Sequence, residues 1–185
     1  HPERSAGIYR SYEYLPGPAA PVPAGYEPFY ISHYGRHGSR YHSSEKAYDR
    51  PLGVLLQASE AGKLTPKGQE VLAKVEALAA DAYLRYGDLS PRGTAEHRGI
   101  AERMYAAWPE VFSTDGGRVC RVESRSTLVP RCILSMAAFN ERLKELNPAI
   151  TTTRDASGRY LDYMARGNSL VLARKAVAAV ADSLS

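Results

Sequence analysis

The stretch HYGRHGSRYH, residues 33–42, sets three histidines and two arginines within ten positions, with two glycines among them. Cationic groups at this density repel one another unless something negative sits between them. Arg36 and Arg40 carry planar, forked guanidiniums that match phosphate oxygens two at a time. Gly35 and Gly38 let the backbone turn sharply and come close to a ligand. His37 lies between the arginines, whose charge depresses its pKa and leaves a neutral imidazole with a free lone pair. Such an imidazole, flanked by phosphate clamps, can attack phosphorus. The plainer reading is a turn with surface charges. The R-H-G-x-R spacing behind a β-rich segment favours function.

Other titratable groups read differently. His97 lies on the inward stripe of its helix and reads first as a hydrogen-bonded core histidine, with catalysis as the alternative. His33 and His42 flank the cluster, and Tyr41 could shape a pocket wall; none of these is assigned to the chemistry. The cysteines lack metal-ligand spacing and there is no G-x-x-x-x-G-K-[ST] loop, so neither a metal nor ATP is an expected cofactor.

These residues need elements to hold them. Residues 1–27, with LPGPAAPVPAG, read as an extended, proline-rich lead-in. PFYISHY, residues 28–34, is aromatic and β-branched and predicts a strand that runs into the cluster. The cluster then sits at a strand's C-terminal end, where open α/β sheets bind ligands. Thr65-Pro66 predicts a helix start running to about Tyr86, with Val71, Val75, Leu78 and Ala82 inward. Ser90-Pro91 predicts a second, with Ile100, Met104 and Trp108 inward. Residues 116–127 turn and extend as a second strand. The next segment is a helix whose stripe is Cys132, Met136, Phe139, Leu143 and Leu146, closed by Pro148. DASG suggests a turn near 155–158, and a last helix spans about 168–184. Strand and helix alternate, which favours an α/β sheet with helices packed on it.

The 185 residues are 44% hydrophobic and 24% charged, enough to bury a real core. The net charge of +4 comes without a Lys/Arg-rich run to support nucleic acid, and a small acidic ligand fits at least as well. No apolar run is long enough for a membrane span. Cys120 and Cys132 read as buried thiols rather than a disulfide. A start at His1 without Met or signal peptide reads as a processed or engineered terminus.

RHGSRY resembles the signature of the histidine phosphatase superfamily in its acid phosphatase and phytase branch. LSPRGTAEHRGIAERMYAAWPEVF and RSTLVPRCILSMAAF resemble the multiple inositol polyphosphate phosphatases, so the similarity spans about residues 28–146. The resemblance implies that His37 is the nucleophile that becomes phosphohistidine and that Arg36 and Arg40 hold the transferred phosphate. It makes Arg131 the third phosphate arginine. The residues agree: Arg131 falls in the first turn of a predicted helix, where free N–H groups and the dipole favour an anion.

The resemblance further implies a three-layer α/β sandwich with a mostly parallel sheet flanked by helices. It adds a helical cap subdomain, for which residues 65–108 are the candidates. Residues 28–185 would be the N-terminal part of that domain. It implies a phosphorylated small-molecule substrate, inositol polyphosphates such as phytate foremost, and a periplasmic or secreted location. Relatives carry a late His-Asp or His-Ala-Glu acid, whereas no histidine follows His97 here. The chain is therefore expected to be the N-terminal half of an incomplete fold, dependent on a C-terminal half. A phosphotransferase, or a phosphate- or polyanion-binding module without a complete catalytic site, are the competing readings.

Overall fold

In the computed structural model, which describes residues 10–12 and 22–164, helices alternate with two strands of one sheet. Helices α1 (Lys46–Glu60) and α2 (Pro66–Ala82) come first. They are followed by α3 (Pro91–Ala107) and the single turn α4 (Pro109–Phe112). Strand β1 (Arg121–Ser126) leads into helix α5 (Pro130–Leu146), which leads into strand β2 (Thr151–Ala156). A last turn, α6 (Leu161–Met164), ends the described residues.

The expected capping chemistry operates. Thr65 Oγ1 accepts from the Gly68 N–H, and Ser90 Oγ from the Gly93 N–H, each ahead of a proline in the first turn. β1 and β2 pair in parallel, from Arg121↔Thr151 to Ser126↔Ala156, and α5 is the crossover between them. The architecture is α/β. Only residues 127–129 separate β1 from α5, so the N-terminus of α5 lies at the C-terminal end of the sheet.

The core forms where α3, α5 and the sheet meet. Ala101, Leu143 and Ile150 have no exposed surface, and Phe112 and Cys120 join them. Burying a side chain such as Leu143 or Ile150 contributes about 1.5–3 kcal/mol. Across their exposed flank, α3 and α5 are tied by ion pairs. Arg98 grips both oxygens of Glu145 at 2.6 and 3.0 Å, and Arg142 reaches Glu102 at 2.7 Å and Glu145 at 2.8 Å. Arg98 and then Arg142 hold the Glu145 carboxyl down to about 2. These two helices hold the loop of the site described below, so their mutual position matters beyond stability.

Several expectations are corrected. Residues 28–34 form no strand; Phe29, Tyr30 and Tyr34 are exposed, and the nearest ladder contact is the isolated bridge Arg40↔Leu89. Composition favours an extended backbone, but a strand also needs a partner, and the described residues supply none there. Val71 and Leu78 of α2 are exposed rather than inward, because α2 packs on α1; only Ala82 of that stripe is buried. Trp108 sits at the exposed end of α3. Helix α1 was not expected, since Pro51 and Gly53 interrupt its pattern. The turn near 155–158 starts later, as β2 runs through Ala156. The helix expected over 168–184 lies outside the described residues. Both cysteines are free thiols, Cys120 buried and Cys132 half-buried. Among the described residues, no helix is long and apolar enough to cross a membrane.

Candidate active site

The segment bearing the histidine and arginines is held against the start of α3. Ser39 accepts at its carbonyl from the Ser90 N–H at 2.9 Å and the Ser90 hydroxyl at 2.8 Å. Tyr41 N–H donates to Asp88 O at 3.0 Å and Gly87 N–H to His42 O at 3.1 Å, so residues 39–42 run antiparallel to 87–90. Gly38 lies flat on Gly93: a Cβ added at Gly38 would come within 2.6 Å of Gly93 Cα and nearer still to its carbonyl oxygen. Both positions must be glycine for the two backbones to meet.

One turn further along α3, two adjacent side chains grip the loop on either side of His37. The Glu96 carboxylate accepts from the Ser39 N–H and from the Ser39 hydroxyl, both at 2.7 Å. His97 is buried and donates from Nε2 to the Arg36 carbonyl at 3.1 Å. Burial lowers the His97 pKa, and the bond to Arg36 only partly offsets it. On the opposite side, Ser135 of α5 accepts the buried Gly38 N–H at 3.1 Å.

His37 is half-buried in this frame. Its Nδ1 lies 2.8 Å from the Gly38 carbonyl, which can only accept, so Nδ1 carries the proton and the lone pair is on Nε2. Its pKa is lowered, chiefly by burial. The Gly38 bond opposes that shift, and the charges of Arg131, Arg36 and Arg40 then add to it. Desolvation, rather than the charge of the arginines, is the larger cause of the depression.

The four expected residues therefore come together: Arg36, His37 and Arg40 from one loop, and Arg131 from the first turn of α5. Arg131 Nη1 makes a long 3.4 Å bond to Gly87 O, while its Nε is buried without a hydrogen-bond partner among the described residues. Val129 offers no capping side chain at this helix end. Arg40 Nη1 donates to Tyr41 O at 2.8 Å. Among the described residues, none of the three guanidiniums pairs with a carboxylate. Three cations whose charges bear on one half-buried imidazole would favour a compact anion there.

The remaining candidates are placed elsewhere. His97 is a core group that positions Arg36, as preferred. His33 stacks on Phe139 with ring centres 5.8 Å apart. His42 turns its ring edge toward Tyr48. Tyr41 is drawn to α2, where its hydroxyl donates to Asp81 at 2.8 Å and Arg85 lies over its ring, so it does not build a pocket wall with His37. Sequence reasoning missed Ser90, Gly93, Glu96 and Ser135. For Ser90, Gly93 and Glu96 the signal was the polar and glycine face at spacings of three and four in 90–97, where a core-facing helix normally carries apolar residues.

Comparison by sequence gives no match to a protein-family model or to a curated protein. By structure, the chain is similar to the crystal structure of Bifidobacterium longum multiple inositol polyphosphate phosphatase in complex with inositol hexasulfate. The TM-score is 0.58 at 22% identity, covering 85% of this chain and 33% of that one. At that identity the likeness is one of fold, an α/β architecture that the two chains share. This chain spans about a third of that phosphatase's length.

Proposed function

We propose that the protein hydrolyses phosphate monoesters, inositol polyphosphates foremost, through a phosphohistidine on His37. The observation that carries this reading is the free Nε2 lone pair of a neutral imidazole among Arg36, Arg40 and Arg131, brought from two distant segments. The likeness to a phosphatase that binds inositol hexasulfate supports it.

Two displacements follow. His37 Nε2 attacks phosphorus in line, the N–P bond forming as the P–O bond to the leaving group breaks. Arg36, Arg40 and Arg131 offset the charge on the phosphoryl oxygens throughout. The imidazole begins neutral, so no proton has to leave before attack. The leaving oxygen takes a proton, worth about 10²–10⁴-fold when the donor is positioned. The resemblance would place that donor in a late His-Asp or His-Ala-Glu motif, and no histidine follows His97 in these 185 residues. Water then attacks phosphorus and releases phosphate, restoring the imidazole. Residues 65–108, as a cap, and a periplasmic or secreted location belong to the same reading.

The test is phosphate release from myo-inositol hexakisphosphate by the intact protein in the presence of a chelator. Release is expected without added metal, and His37→Ala is expected to abolish it. Release by His37→Ala at the unsubstituted rate would overturn the assignment. The 185-residue chain by itself is expected to bind phosphate but turn over poorly.

A further inference from the structure

Every polar atom of Ser39 is held by α3. Its N–H and hydroxyl both go to Glu96, and its carbonyl accepts twice from Ser90. Ser39 sits between His37-Gly38 and Arg40, so its orientation fixes how imidazole and guanidinium stand to each other. The two bonds to Glu96, at 2.7 Å, are short and charge-assisted. The Glu96 side chain is 7% exposed, and burying a carboxylate that deeply is costly unless it is hydrogen-bonded. Packing by itself is better served by an apolar residue.

The carboxylate has few other partners among the described residues. Its other neighbours are the Tyr12 N–H at 3.2 Å and Arg92 Nε at 3.8 Å, while no ion pair joins it to Arg36, Arg40 or Arg131. It takes Ser39, and the guanidiniums are left for a substrate.

We propose that Glu96 is the positioning residue of the phosphoryl-transfer loop, riveting Ser39 so that His37 Nε2 and Arg40 address the same phosphorus. This rests on the phosphatase reading above. It predicts a loss in the chemical step rather than in fold. Misplacing a reacting group by about 1 Å costs on the order of 10²-fold.

The test is the single-turnover rate of phosphohistidine formation by the intact protein with p-nitrophenyl phosphate, whose leaving group needs no proton donor. Circular dichroism establishes the folded fraction of each variant. Folded Glu96→Ala is expected to form the adduct about 10²-fold more slowly, with its affinity for inorganic phosphate changed far less. Glu96→Gln keeps an oxygen for the Ser39 N–H and offers an amide to the hydroxyl, so it is expected to recover most of the rate. Adduct formation by folded Glu96→Ala at the unsubstituted rate overturns the role, as does Glu96→Gln being no faster than Glu96→Ala. If Glu96→Ala does not fold, Ser39→Ala removes one arm of the grip; it is expected to slow the adduct, and an unchanged rate overturns the role. Unsubstituted protein that forms no adduct refutes the phosphatase reading itself, a distinct outcome.

Discussion

Gly38 and Gly93 press backbone against backbone, so that the loop carrying His37 rests on the first turn of α3 with no side chain between them. A Cβ at Gly93 would overlap the Ser39 carbonyl oxygen and stand 2.8 Å from the Ser39 nitrogen. Gly93→Ala must therefore push the loop off the helix. It is expected to destabilise the fold by about 1–3 kcal/mol, as overpacking does, and to weaken phosphate binding at His37. Gly53→Ala, in the interior of α1 with nothing within 4 Å, is the contrasting substitution. It is expected to stabilise by about 0.5–1 kcal/mol. Urea midpoints of the two variants check the pair; equal midpoints would contradict the close approach.

His97 makes stability depend on pH in a defined direction. Its folded pKa lies below the ordinary histidine value because it is buried. The unfolded chain therefore takes up a proton, near pH 6.5, before the folded one does. The stability is fully present above about pH 6.5 and is lost as pH falls toward the folded pKa. His37 is shifted in the same direction and adds to the slope. His97→Gln keeps a donor without titrating, so its stability is expected to fall less steeply below about pH 6.5. An unchanged slope in denaturant midpoints across that range would contradict the buried, neutral His97.

Arg131 has a buried Nε with no hydrogen-bond partner among the described residues, an arrangement suited to an anion rather than to stability. Arg131→Gln is expected to weaken inorganic phosphate binding by about 10-fold or more, the loss of a charge-assisted hydrogen bond. The thermal midpoint is expected to hold or rise. Titration calorimetry reads the first and thermal unfolding the second. Undiminished affinity would place Arg131 outside the site.

What could be read in the sequence was what neighbouring residues decide. Thr65-Pro66 and Ser90-Pro91 mark helix starts because a cap acts within three residues. The Arg36, His37, Arg40 spacing and the place of Arg131 at a helix start are legible for the same reason, and the charges of all three arginines bear on His37 in the fold. The misses depend on distant partners. Residues 28–34 have strand composition but no ladder partner among the described residues. Val71 and Leu78 have helical spacing but α2 meets only one side of α1's surface, leaving them exposed. Glu96 reads as an ordinary helical carboxylate until Ser39, 57 positions away in sequence, docks on it.

The most direct measurement is alkaline-quench trapping of the protein reacted with p-nitrophenyl phosphate across pH, with the modified peptide identified by mass spectrometry. The account predicts an acid-labile, base-stable phosphoramidate on His37. Its rate of formation should rise with pH through a pKa below the ordinary histidine value, because burial and the three arginines keep the ring neutral. No adduct, or a phosphoryl group on any other residue, would contradict it.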